Sequence, residues 1–247
     1  MKFVSDMIRP FEPAKGPPPQ DMLPFMRWAL HGSERAILVA FAITFVTGIS
    51  ELVAARFTGW VIDQTAIAEQ GAFWATFWPV VVVGVVFFLV IRPLIFVMDA
   101  GVTGVLLGPN LYPMILARLN QHTLGHSMQF FENDFAGRLS QKALQTARAL
   151  TDMVIEVSDV VVYSFAMFIG AFFLMASIDA RLLLVFVIWS VFYVAALRYF
   201  IPRVQTRSKA RAGARTQVTG QVVDIYSNIA AVKLFARDAD EDTATRA

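Results

Sequence analysis

The chain has 247 residues, of which 57% are hydrophobic and only 16% charged, and its mean hydropathy is +0.58. A soluble domain of this length needs far more polar surface. Cysteine is absent, which excludes a disulfide framework, a thiolate zinc site and a cysteine nucleophile, and a net charge of +2 is too small to suggest nucleic acid.

Residues 1–22 form a leader broken by Pro10, Pro13 and Pro17 to Pro19. It lacks the apolar core of a secretory signal. It reads as an extended cytoplasmic segment, disordered and without a function of its own. Residues 23–35 interleave Leu23, Phe25, Met26, Trp28 and Leu30 with Arg27, as an interfacial elbow helix does. Four runs then reach the ~20 residues that cross a bilayer core as helix. They lie at about 36–55, 73–98, 160–178 and 182–201. The third is free of charge, Glu51 interrupts the first, Arg92 lies at the inner end of the second, and Arg198 interrupts the fourth.

Ala100 to Ala117 is also uncharged, but Gly101, Gly104, Gly108, Pro109, Asn110 and Pro113 argue against a fifth lipid-facing span. Charge topology agrees. Lys2, Arg9, Lys15, Arg27 and Arg35 precede the first span, and no Lys or Arg falls in the loop read from Phe57 to Ala72. Arg118, Arg138, Lys142 and Arg148 lie between the second and third spans, and the tail from Pro202 is strongly basic. By the positive-inside rule both termini and the 99–154 segment are cytoplasmic. The fold class is therefore an all-α, multi-pass inner-membrane protein with four spans and long cytoplasmic helical extensions. Asp99 to Gln129, if wholly helical, extends roughly 46 Å at 1.5 Å per residue.

Two tip sequences give the long extensions a meaning. Phe130-Phe131-Glu132-Asn133-Asp134-Phe135-Ala136-Gly137 resembles the first coupling-helix region of type I ATP-binding-cassette (ABC) exporters. Gly220 to Ile229, followed by Ala231-Val232-Lys233-Leu234-Phe235, resembles the second, which includes a short turn. Gly59-Trp60-Val61-Ile62-Asp63 is similar to the end of that family's first span. The three stretches occur in the family's order over nearly the whole chain.

The resemblance implies that residues 36–247 are part of a six-span exporter membrane domain, lacking spans five and six and the nucleotide-binding domain. It implies the membrane-spanning portion of an ATP-driven exporter, which forms the substrate pathway and couples it to ATPase domains. Phe131, Glu132, Asn133, Asp134, Phe135, Ala136 and Gly137 would make coupling helix one. Asp224, Ile225, Tyr226, Ser227, Asn228 and Ile229 would make coupling helix two. Implied partners are membrane lipid, a second half-transporter in a homodimer, nucleotide-binding domains, and a hydrophobic or amphiphilic small-molecule or lipid substrate. Nucleic acid is not among them. No cofactor is expected in this chain, whereas ATP and Mg are expected for the nucleotide-binding domain.

The chain holds no phosphate-binding Gly-x-x-x-x-Gly-Lys-Ser/Thr loop, so it is not expected to be an enzyme by itself. Arg92 and Glu51 are candidates for a substrate cavity, set against a snorkelling Arg92 and a Glu51 paired with Arg56. His122 and His126 stand one helical turn apart, but no carboxylate accompanies them and no metal site is expected. An intramembrane hydrolase is a weaker reading, because Ser164 and Ser190 lie in spans while every histidine lies outside them. A non-transporting membrane scaffold or regulator is the alternative function.

Overall fold

A computed structural model describes Ile8 and residues 16–67, 73–133 and 136–229 of the chain. Among these residues every regular element is helical. Four helices are long and apolar enough to cross a membrane: Glu34–Thr65, Phe77–Leu124, Arg138–Ile178 and Ala180–Ser227. The chain is an all-α multi-pass membrane protein. It divides into two compact units, Met1–Ile178 and Asp179–Ala247.

In the first unit, α1 (Met22–Ala29) leads through a turn at Gly32 into α2 (Glu34–Ile67). Gly32 has φ +82°, which its missing Cβ permits, and its N–H donates to Glu34 Oε2 at 2.7 Å. The second spanning helix is built in pieces. α3 (Phe73–Val86) passes through a π-helical turn, π1 (Phe87–Ile91), into α4 (Arg92–Gly101). A second, π2 (Val102–Leu107), leads into α5 (Gly108–Leu124). The short α6 (Met128–Asn133) follows. Then α7 (Ala136–Glu156), π3 (Val157–Val162) and α8 (Tyr163–Ile178) form the third spanning helix.

Helices run well past the boundaries that hydropathy suggests. α2 continues to Ile67, so Phe57–Ile67 is helix and not loop. The breakers between Ala100 and Ala117 do not interrupt the second helix. π2 holds Gly104 between Gly101 and Gly108, Pro113 sits inside α5, and Asn110 Nδ2 donates to the carbonyls of Val105 at 3.2 Å and Leu106 at 2.9 Å. A side-chain amide thus satisfies backbone oxygens that the irregular turn leaves available.

Small side chains decide how α2 packs. Ala36, Ala40, Thr44, Thr47, Ser50 and Ala54 are buried at helical spacing along one stripe. Thr47 donates to the Ile43 carbonyl at 3.0 Å and Ser50 to that of Thr47 at 2.7 Å, so neither hydroxyl is left unpaired. The stripe lets backbones approach closely, as membrane helix pairs do. A Cβ on Gly48 would stand 2.7 Å from the Ala166 Cβ and 3.1 Å from the Tyr163 carbonyl oxygen. Gly48→Leu is therefore expected to destabilise the fold by about 1–3 kcal/mol, the range for overpacking. Gly59→Leu, where nothing lies within 4 Å of the added Cβ, is the control and should not lower the thermal unfolding temperature in detergent.

The apolar core sits where α1, the start of α2, α5 and α7 meet. Ala29, Leu107, Leu111, Met114, Ile115 and Ala147 are fully buried there. Ile8 belongs to the same cluster at 1% exposure, and Gly16 O accepts from Trp28 Nε1 at 3.1 Å. At these two places the leader is packed against the fold. Arg118 is buried at 3% exposure and its Nη1 donates to the carbonyls of Ala29 at 2.8 Å and Trp28 at 3.4 Å. It places a cation on the C-terminus of α1, the end with negative partial charge.

The second unit contains one long helix, α9 (Ala180–Ser227). Asp179 caps it by accepting from the Arg181 N–H at 2.8 Å. Its apolar first half ends at Pro202, where the Arg203 guanidinium stacks on the Tyr199 ring at 3.4 Å and a basic half begins.

Candidate functional site

Two polar pairings cross from α2 to α4, one heptad apart on each antiparallel helix. In the first, Arg92 Nη2 reaches both carboxylate oxygens of Glu51 at 2.7 Å. The side chains are 31% and 24% exposed. Phe88 and Phe96 flank the guanidinium, with ring centroids 5.9 and 5.6 Å from Cζ. Glu51 thus pairs with Arg92 across the helix interface, not with Arg56. It also lies at the middle of α2 rather than near its end, because the helix extends to Ile67. Arg92 is held by this partner instead of snorkelling freely.

In the second pairing, Thr44 Oγ1 donates to Asp99 Oδ1 at 2.7 Å and lies 3.0 Å from Ser158 Oγ. Thr44 and Ser158 are buried, so three elements meet through hydroxyls at one point. Thr103 Oγ1 lies 3.4 Å from Asp159 Oδ1 beside it. Each of the three π-turns borders or contains a member of this layer. π1 ends at the residue before Arg92, π2 holds Thr103, and π3 holds Ser158 and Asp159. Such turns re-aim side chains within a helix and recur at functional sites. Glu51 is paired with the Arg92 guanidinium, whereas Asp99 and Asp159 have only hydroxyl donors and no cation within 4 Å among the described residues.

The tips are the other region of interest. α6 is a short helix between the ends of α5 and α7. Phe131 stands in it, edge-on to Phe130 at 5.5 Å, and the Phe130 ring packs tilted against His126 at 4.3 Å. Glu132 and Asn133 lie in α6, and Ala136 and Gly137 open α7. Asp134 and Phe135 lie outside the described residues. His126 Nδ1 lies 3.0 Å from the His122 carbonyl oxygen, and the two rings pack edge-to-face at 4.8 Å. Among the described residues no three histidines or carboxylates gather as a metal would require.

At the end of α9 the chain does not turn where the second tip sequence begins. The helix continues through Asp224, Ile225, Tyr226 and Ser227 and closes at Asn228, ahead of Ile229. Asn228 Nδ2 donates to the Asp224 carbonyl and to its Oδ1, both at 3.1 Å. Tyr226 is 71% exposed. Ala231 to Phe235 lie outside the described residues.

The family model for the ABC transporter transmembrane region matches residues 35–244. The chain belongs to this family. An "Uncharacterized ABC transporter ATP-binding protein" of Haemophilus influenzae is 31% identical over 228 residues. That alignment covers 92% of this chain but 37% of the relative, so the chain spans well under half of that ABC protein's length.

Sequence reasoning isolated Glu51 and Arg92 but did not join them, and it missed Thr44, Asp99, Ser158, Asp159 and Arg118 as members of a polar framework. The signal for Asp99 and Asp159 was their place at the very edges of apolar runs. Nothing local marks Arg118, whose partners lie about 90 residues away in the chain.

Proposed function

We propose that this chain is the membrane-spanning portion of an ATP-driven exporter. It forms the substrate pathway and passes force to ATPase domains. The observation that carries the reading is the family match along nearly the whole chain, joined to helices far longer than a bilayer requires. A 48-residue helix such as α9 measures roughly 72 Å, against a hydrocarbon core of about 30 Å. Helix beyond the bilayer suits a lever that reaches a soluble motor.

In this reading the chain sits in the inner membrane with both termini and the 99–154 segment in the cytosol. The tips at 131–137 and 224–229 seat on nucleotide-binding domains that carry ATP and Mg. The chain itself is not the catalyst. A second half-transporter completes the pathway, which takes a hydrophobic or amphiphilic molecule or lipid. Glu51 and Arg92 stand in that pathway.

The test is topological and functional together. In this cysteine-free chain, single cysteines at 65 and 133 are exposed to a membrane-impermeant thiol reagent on intact cells. Position 65 should label and position 133 should not. In a form extended to the length of the H. influenzae relative, vesicles should accumulate amphiphile only with ATP. Labelling at 133 from outside would invert the topology, and ATP-independent accumulation would remove the exporter reading.

A further inference from the structure

Glu51 is the carboxylate nearest to Arg56 along the chain, but it is taken by Arg92. Arg56 is exposed on α2, and its side chain has no hydrogen bond, ion pair or ring contact among the described residues. A lone cation in a spanning helix is costly in hydrocarbon and calls for an anion. Arg56 stands on the wall of a cavity of about 650 Å³ between α2 and α8. Leu52, Val53 and Phe57 line it from α2, and Phe173 and Leu174 from α8. The hydroxyl of Ser177 in this wall already donates to the Leu174 carbonyl at 2.7 Å, so Arg56 carries the one charge the cleft offers a ligand.

The depth of Arg56 follows from how the two helices run. Gly48 meets Ala166, and Gly170 meets the Leu52 side chain, a four-residue step along each helix. The next such step sets Arg56 level with Leu174, and the one after sets Trp60 level with Ile178, the last residue of α8. Arg56 is therefore one turn, roughly 6 Å, inside the end of the third spanning helix, where headgroups meet hydrocarbon. Trp60 at that end is a side chain the interface favours. Leu52 and Gly170 close the cleft about one turn deeper.

We propose that this cleft holds one anionic phospholipid, its phosphate on the Arg56 guanidinium and an acyl chain along the apolar wall toward Leu52. The cleft asks for an anion at the membrane surface and hydrocarbon below it, and a phospholipid standing in its leaflet supplies both in that order. The phosphate layer already lies at the depth of Arg56, so no further protein element is needed to bring the anion there. Arginine pairs its N–H donors with phosphate oxygens, and basic pockets between spanning helices hold lipid headgroups. The seat rests on these helices spanning a bilayer, not on the protein being an exporter.

The experiment titrates the whole chain, purified in neutral detergent, with phosphatidylglycerol, phosphatidylethanolamine and a free fatty acid of the same acyl chain. Native mass spectrometry counts the lipid retained. The parent should hold one phosphatidylglycerol at lower concentration than either of the others. Arg56→Gln should weaken that lipid about tenfold, the scale of one charge-assisted hydrogen bond, and Arg56→Lys should weaken it less. Leu174→Trp, which fills the cleft beneath the headgroup, should also weaken it, whereas Val83→Trp on the exposed side of α3 should not. Equal retention of all three lipids by the parent, as when another helix or a second copy covers the cleft, overturns the proposal. So does unchanged binding in Arg56→Gln, which places the lipid elsewhere, or tighter binding of the fatty acid, which assigns a different ligand. The comparison at the exposed Arg56 decides even where the Leu174→Trp variant fails to fold.

Discussion

Glu51→Leu is expected to cost the folded protein about 2–3 kcal/mol, below the range for a fully buried ion pair because the two side chains keep part of their surface exposed. The loss is larger than that of the two hydrogen bonds alone, because the Arg92 guanidinium stays behind in a medium that solvates charge poorly. Among the described residues Arg92 makes no hydrogen bond to any acceptor but Glu51. Its Nε is buried without a hydrogen-bond partner, and only Nη2 is engaged, by Glu51. The stacked rings of Phe88 and Phe96 contribute far less than an ion pair. The double variant Glu51→Leu/Arg92→Leu should recover most of the loss, since replacing both partners by apolar groups of similar bulk is often neutral or stabilising. Thermal unfolding of the single and double variants in one detergent gives the coupling directly. A single variant as stable as the parent would mean that water or lipid solvates Arg92, and that the pair does not join α2 to α4.

The same pair shows what was legible in the sequence and what was not. The all-α class and the count of four spans follow from apolar runs of bilayer length, a signal each segment carries alone. Pairings between spans carry no such signal, because Glu51 and Arg92 stand 41 residues apart in the chain. Hydropathy also ended the second span before Asp99 and began the third after Asp159, where the backbone hydrogen-bond ladder continues. A run beginning at Val160 looks clean only because Asp159 is left outside it, yet π3 carries Asp159 and Val160 in one continuous helix. The same cut hid the packing of Asp99 against Thr44. The glycines and prolines after Ala100 argued correctly against a separate fifth span, and they do not end the second helix. Their cost is local, and a π-turn with one asparagine side chain meets it. For the tips, sequence marked the residues by resemblance, but the continuous run of α9 to Ser227 has no counterpart in a motif that includes a turn.

If the tips seat on ATPase domains, Tyr226→Ala should uncouple the protein without unfolding it. Tyr226 is 71% exposed near the end of α9, so its ring contributes little to the fold of this chain. An exposed aromatic at the end of a rigid helix is the kind of anchor that a partner's groove buries. Truncating such an anchor costs about 2 kcal/mol or more at an interface, roughly a thirtyfold weakening of docking. Asp224 is a poorer probe, because its carbonyl and carboxylate both hold Asn228 at the helix end and a change there disturbs the cap. Asp134→Ala tests the other tip. In the extended form, substrate-stimulated ATP hydrolysis and transport should fall together in both variants. Basal hydrolysis and insertion should persist, because the motor and the spans are untouched. Normal transport by both variants would show that force enters the membrane domain elsewhere, and the helices beyond the bilayer would then need a different role.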